Sequence, residues 1–352
     1  VNDNLEYYAV QNATNVTASS GFSKSTQVST LFRLNYSYDS RYSFTGTVRR
    51  DGYSGFGPDH KYGTFPSAAV AWNLDKEKFL ANVHWINNLK LRASYGVSGN
   101  QAVGAYATLT NLGTVKYIYN DAEAVGLIPS SLGNPDLRWE STKGTNLGLD
   151  FGFFKNRLSG TVEVYKLNTY DLLLNRQLLD ISGYSSILSN IGKTENRGFE
   201  LTLNSRNIET KHFSWTSNFN ISINRNKLVE LYGDGKVDIG NRWFLGKPLN
   251  GVYGYTIIGV WQDGEDFATQ PTAKPGDYKI AALNGDTVVT PNSRSYLGTT
   301  LPRYIAGFTN TFNYKQLSLN IFLQAINRKG INPYINGASP RTNSPAEVEY
   351  WT

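Results

Sequence analysis

At 352 residues, with 13% aromatic residues that include 23 Tyr, 18% charged residues and 33 Gly, the chain has the make-up of many strands joined by turns. It contains no Cys, which excludes disulfides, thiolate metal sites and cysteine nucleophiles, and His60, His84 and His212 are scattered without metal-ligand spacing. The net charge of +6 is spread along the sequence rather than gathered in a run, which argues against nucleic-acid binding.

The sequence begins at Val1 without a Met or a basic-then-apolar leader, so it is read as a processed or partial piece of a longer polypeptide. Asn-x-Thr motifs at Asn12 and Asn15 match a eukaryotic glycosylation pattern. The first periodic segment, residues 33–52 (RLNYSYDSRYSFTGTVRRDG), places Phe32, Leu34, Tyr36, Tyr38, Tyr42, Phe44 and Val48 on one face and Arg33, Asn35, Ser37, Thr45, Thr47 and Arg49 on the other. Side chains alternate along a strand with period two, so this is a hairpin about a tight turn at residues 39–41. Residues 75–88 (DKEKFLANVHWINN) break the pattern, and the spacing of Phe79, Leu80, Val83 and Ile86 predicts a short amphipathic helix or turn connecting strands.

Alternation resumes at Leu89–Val97, with Lys90 and Arg92 on the polar side, and again at Leu147–Phe153, with Asp150 on the polar side. A tight turn at 154–156 leads into 158–167, where Glu163 is polar-side, and Glu200 takes the same place in 199–204. Further segments at 215–224 and 317–324 bring the total to about ten to twelve strands, many of nine or more residues. Long polar connections are expected at 99–135, 168–197 and 224–303, alternating with the tight turns.

Two architectures share this alternation: a multi-domain soluble β protein with the apolar residues as core, and a transmembrane antiparallel β-barrel with them against lipid. Strand length, short turns alternating with long loops, and aromatics beside the turns (Tyr38, Tyr42, Phe153, Phe154, Tyr314) favour the barrel. A lipid-facing Arg or Lys at mid-bilayer costs about 2–4 kcal/mol, so Arg33, Arg49, Lys90 and Arg92, with Asp150, Glu163 and Glu200, are expected to face a wet lumen. Arg50 falls on the apolar register and is expected beyond the membrane. No nucleophile elbow, HExxH, phosphate loop or dinucleotide fingerprint is present, so no enzyme activity is read from the sequence.

Several stretches together resemble the barrel of SusC/RagA-type TonB-linked outer-membrane transporters of Bacteroidetes: RYSFTGTVRRDGYSGFGPDHKYGTFPSAAVAW (41–72), LKLRASYGVSGNQ (89–101), 132–174, SNIGKTENRGFELTLNS (189–205), PRYIAGFTNTFNYKQLSLNIFLQ (302–324) and EYWT (349–352). The resemblance implies a 22-stranded barrel of which residues 1–352 form a partial domain, roughly the second half, without plug, TonB box or N-terminal extension. It also implies outer-membrane import of a large nutrient, an oligosaccharide or a peptide, with a SusD-like surface lipoprotein and the TonB complex as partners. Outer-membrane lipid and lipopolysaccharide are further expected contacts, as is a homodimer of SusC–SusD pairs; a non-transporting adhesin or envelope-complex subunit is the alternative. Many members carry a calcium-like Asp-x-Asn-Gly-Asp-Gly loop. Here the matching stretch, AALNGDTVVTPNSR (281–294), keeps only Asn284 and Asp286 as hard ligands, so no cofactor is expected and calcium is disfavoured. For ligand contact, the candidates are the loop aromatics Trp139, Tyr184, Tyr232, Trp243, Tyr253 and Trp261, whose rings suit the apolar faces of sugars or peptide side chains.

Overall fold

The computed structural model describes residues 22–328 apart from 233, 234 and 236; the Asn12 and Asn15 motifs and the final EYWT lie outside the described residues. In chain order the strands are β1 (Gln27–Tyr38), β2 (Tyr42–Tyr53), β3 (Tyr62–Asn73), β4 (Ile86–Asn100), β5 (Asn111–Tyr119), β6 (Ala122–Ser131), β7 (Glu140–Phe153), β8 (Leu158–Tyr170) and β9 (Leu173–Gln177). There follow β10 (Ser186–Asn190), β11 (Lys193–Glu209), β12 (Phe213–Glu230), β13 (Gly251–Tyr255), β14 (Ile257–Val260), β15 (Tyr278–Ile280), β16 (Arg294–Thr299), β17 (Tyr304–Tyr314) and β18 (Leu317–Asn327).

One antiparallel sheet of ten strands runs in the order β1-β2-β3-β4-β7-β8-β11-β12-β17-β18. The remaining strands form four separate two-stranded pairs, β5-β6, β9-β10, β13-β16 and β14-β15, all in connections at one end of the sheet. The other end has the short turns. At residues 39–41, Asp39 and Ser40 take positive φ and Arg41 N–H closes on the Tyr38 carbonyl at 3.0 Å. At 154–156 three consecutive residues take positive φ, and the Asn87 side-chain oxygen accepts the Lys155 amide at 2.5 Å. Short polar side chains on neighbouring elements thus replace the backbone partners that a three-residue turn leaves unmade.

Of the two readings of residues 75–88, the turn forms and the amphipathic helix does not. Two single 3-10 turns, Leu74–Lys76 and Lys78–Leu80, are followed by β4, which begins at Ile86. The Glu77 carboxylate fixes this connection by accepting from Tyr42 Oη (2.6 Å), Trp72 Nε1 (2.9 Å) and Arg41 Nη1 (3.4 Å). These hydrogen bonds hold the Glu77 carboxyl below its ordinary value, Tyr42 first among them. The long connections are also shorter than the hydropathy pattern indicates. β4 runs to Asn100, β8 to Tyr170 and β12 to Glu230, and β11 starts at Lys193, because backbone pairing continues where apolar alternation has ended.

Cross-strand register sorts the two faces. Arg92 on β4 stands opposite Gly148 on β7, then Glu163 on β8, Glu200 on β11 and Ser222 on β12. One step along, Leu91, Leu149, Val162, Leu201, Ile221 and Ala306 form a row on the opposite face. Near the short turns this apolar face carries stacked rings: Trp85 with Phe154, Phe151 with Phe153, Trp215 with Phe312, and Tyr42 with Trp72.

Among the described residues a conventional buried core forms at the long-loop end, where Tyr53, Phe56, Phe65, Val103, Leu137 and Trp139 pack on one another. Gly57 makes this possible: its amide reaches the Leu137 carbonyl at 3.2 Å, and a Cβ there would run into the Pro135 carbonyl oxygen. Elsewhere large apolar side chains such as Phe32, Leu34, Val48, Leu147, Val164 and Phe308 remain exposed in rows. A contiguous apolar sheet face of this extent is a surface for a non-aqueous neighbour.

Candidate functional site

The polar face is built as a hydrogen-bonded wall. Arg92 meets Asp150 through two bonds, Nε to Oδ2 at 2.8 Å and Nη2 to Oδ1 at 2.9 Å, and extends Nη2 to Glu163 Oε1 at 2.6 Å. Thr161 Oγ1 donates to Asp150 Oδ1 at 3.1 Å, and Ser222 Oγ donates to Glu200 Oε1 at 3.4 Å. Glu163 and Glu200 lie directly opposite on β8 and β11, so Arg92 and Ser222 each hold one of two facing carboxylates. Arg33 Nε donates to Thr47 Oγ1 at 3.2 Å, Arg49 pairs with Asp51 at 2.7 Å, and Lys90 stands opposite Asp150. All seven charged positions read from the sequence fall on the same face by register. Above them, Ser67, Asn146, Glu163, Tyr165 and Glu200 line a concavity of about 560 Å³.

The loop aromatics separate into two groups. Trp139 and Trp261 are buried (7% and 2% exposed) and their rings are occupied by packing. Trp139 lies against Phe56 and Phe65 and donates Nε1 to the Lys61 carbonyl; Trp261 lies against Phe267, donates to Gln270 Oε1 and is covered by Lys279 Nζ, 4.3 Å from its ring centroid. Tyr184, Tyr232, Trp243 and Tyr253 are half-buried at the long-loop end. Tyr232 donates its hydroxyl to Asp238, which also accepts Asn241 N and Nδ2, while the Arg176 guanidinium lies 5.5 Å from the Tyr232 ring centre. Burial and the Asp238 contact push the Tyr232 phenol up to about 12. Asp238 is itself buried, which would raise its carboxyl, but the Tyr232 and Asn241 hydrogen bonds outweigh this and hold it below its ordinary value.

Tyr253 belongs to a second cluster that the linear sequence does not announce. Phe244 (5.1 Å) and Tyr296 pack around it, Lys247 lies over Tyr296 at 5.2 Å, and Arg294 lies near both Tyr253 and Tyr255. Pairing of β13 with β16 brings these residues together across the intervening chain. The only available signal was aromatic enrichment in GVYGY (251–255).

In the 281–294 stretch Asn284 and Asp286 are engaged by the loop's own groups. Asn284 and Gly285 form a positive-φ turn, Asn284 Nδ2 donates to the Asn292 carbonyl at 2.6 Å, and Asp286 Oδ2 accepts the Thr290 and Ser293 hydroxyls at 2.7 and 3.2 Å. Among the described residues no three His, Cys, Asp or Glu side chains converge as a metal site.

A sheet with one charged, hydrogen-bonded face, one apolar face bordered by rings, and long hairpins at one end alone is the wall of a membrane barrel. Residues 1–334 match the family model for the TonB-dependent receptor-like β-barrel. The chain belongs to that family. It is 40% identical over 314 residues to TonB-dependent receptor P3 of Formosa agariphila, covering 85% of this chain and 31% of the relative. It is 32% identical over 327 residues to TonB-dependent receptor SusC of Bacteroides thetaiotaomicron, covering 89% of this chain and 32% of that protein. Its fold matches the RagAB peptide transporter structure with a TM-score of 0.73 at 27% identity, over 86% of this chain and 33% of the other. The chain thus spans about a third of the length of these relatives. It is an outer-membrane barrel segment of the SusC/RagA type and not an enzyme. In a barrel of this family a charged face suits the wet lumen and an apolar face the lipid, with short turns on the periplasmic side and long loops on the extracellular side.

Proposed function

We propose that the whole protein imports a large nutrient, an oligosaccharide or a peptide, across the outer membrane, driven by TonB and served by a SusD-like lipoprotein at the extracellular mouth. The observation that carries this reading is the combination, in one SusC/RagA-type barrel segment, of a charged lumen wall and extracellular aromatic clusters. Half-buried rings beside Arg176, Arg294, Lys247 and Asn241 offer both the apolar contact and the donors that a glycan or peptide needs. Tyr184, Tyr232, Trp243 and Tyr253 are the ligand-contact candidates, with Phe244 and Tyr296 added. Pairing of two transporter–lipoprotein units is part of the same proposal. The test is growth of a deletion strain and its complemented parent on single oligosaccharides and on defined peptides as sole nutrient. Loss of growth on one class, restored by the gene, supports import and names the cargo; equal growth on all of them, by cells that express the protein, overturns it. Co-purification of a surface lipoprotein from detergent extracts tests the partner.

A further inference from the structure

Above the apolar band the lipid-side face changes character abruptly. Lys166 on β8, Arg197 on β11 and Arg225 on β12 stand directly opposite one another in one row, immediately above Val164, Phe199 and Ile223. The next row outward is Lys143, Asn168, Glu195 and Lys227, and the one beyond it is Ser141, Tyr170, Lys193 and Glu230. Six cations therefore share this face with two carboxylates. Glu195 is fully engaged, taking Lys166 at 3.0 Å, Arg197 at 2.8 Å and Lys227 at 3.0 Å, and Glu230 takes Lys193 at 3.2 Å. Lys143 and Arg225 have no carboxylate partner among the described residues: Lys143 lies over the Tyr170 ring and Arg225 donates to the Asn224 and Arg303 carbonyls.

Like charges directly opposite across strands are destabilising, and Glu195 offsets only part of this set: six cations face two carboxylates, and Arg225 and Lys143 are left for an anionic occupant. Height and side identify its source. Lys166 lies about eight positions along β8 from its periplasmic end, and a strand tilted by about 40° climbs roughly 20 Å over that length, near the top of an apolar band about 25 Å tall. Arg50 comes at the same height on β2 and on the same face, over the Tyr62 ring. Lys143, Lys166, Arg197, Arg225 and Lys227 are all exposed, and the strands carrying them lie inside the sheet, away from its edges. A ligand held here has its apolar part against Val164 and Phe199 and its anionic head among the cations.

We propose that the Lys143–Lys166–Arg197–Arg225–Lys227 surface is a binding site for the phosphorylated headgroup of an outer-leaflet glycolipid. The guanidinium forks of Arg197 and Arg225 suit bidentate contact with phosphate, and the lysines supply further charge around it. The site is on the outside of the barrel and independent of the imported substrate.

The test is native mass spectrometry of the complete protein purified from outer membranes in mild detergent, as wild type and as the Lys166→Gln, Arg197→Gln, Arg225→Gln triple variant. Lys116→Gln, on the β5-β6 hairpin, is the matched control. The wild type and the control are expected to retain phosphorylated glycolipid, and the triple variant to retain at least about tenfold less while keeping the heat-dependent gel mobility of a folded barrel. Should the triple variant fail to fold, the arms become wild-type protein in bilayers containing the glycolipid with its phosphate intact or enzymatically removed. Preference for the phosphorylated lipid supports the site. Equal retention by variant and wild type, equal binding of the dephosphorylated lipid, or loss of a protein partner with lipid retained overturns it.

Discussion

Arg92 reaches Glu163 across an intervening strand. The two residues lie on β4 and β8, and the guanidinium crosses β7 over Gly148, where an added Cβ would sit 2.9 Å from Arg92 Nη2. A single side chain thereby ties three strands of the lumen wall and neutralises carboxylates on two of them. In the complete protein, Arg92→Ala is expected to lower stability by about 1–3 kcal/mol, the range for hydrogen bonds to charged groups reduced by the wet lumen. Gly148→Val is expected to reproduce most of that loss by pushing Arg92 aside. Denaturant unfolding in lipid vesicles measures both; a neutral Gly148→Val contradicts the crossing.

The long-loop end is expected to loosen independently of the wall. Leu137 is fully buried between Phe56 and Trp139, so Leu137→Ala costs about 2–5 kcal/mol of local stability. Hydrogen exchange should accelerate in residues 54–61 and 101–110 while the strands of the sheet keep their protection. Uniform acceleration through β7, β8 and β11 contradicts this separation.

Much of this architecture was legible as period two, because a wall between lipid and water needs opposite chemistry on alternate residues, and strand length with the alternation of short turns and long loops separated it from a soluble sheet. The period puts Arg33, Arg49, Lys90, Arg92, Asp150, Glu163 and Glu200 on one face, and the pairing register does the same. It was silent where both faces meet water: β11 starts at Lys193 and β12 runs to Glu230 without apolar alternation, so their ends read as loop. Phe79, Leu80, Val83 and Ile86 left helix and turn both open, because spacing alone does not show that Glu77 anchors the segment to Tyr42 and Trp72. In the loops, burial of Trp139 and Trp261 depends on contacts with Phe56 and Phe267 that no local pattern encodes.

The Asp238 cluster carries a pH dependence. Its carboxyl is held below the usual value of about 3.9, so the stability it gives is present above that pH and is lost as pH falls through its folded pKa. Its partner Tyr232 titrates only near 12, so the cluster is expected to be intact from about pH 5 to pH 10. Limited proteolysis within 238–244 should stay flat across that window and rise only as pH falls below the ordinary carboxylate range, with Asp238→Asn cleaved faster at neutral pH. A transition near pH 6–7 contradicts the assignment.

Opposite faces of β11 predict opposite tolerance. Leu201→Arg places a cation on the lipid face and should cost about 2–4 kcal/mol, whereas Thr202→Arg, one residue along on the lumen face, should cost far less. Yield of heat-modifiable barrel in the outer membrane compares the two variants. Equal yields contradict the face assignment.

The most direct test of the membrane-wall assignment is a scan of β11 in the complete protein in lipid vesicles. Single Cys substitutions at 199, 200, 201, 202, 203 and 204 carry a polarity-sensitive fluorophore, read with a lipid-attached quencher. Blue-shifted, lipid-quenched emission at 199, 201 and 203, with red-shifted, unquenched emission at 200, 202 and 204, is the predicted result. Emission without a two-residue period, or with the two sets exchanged, would contradict it.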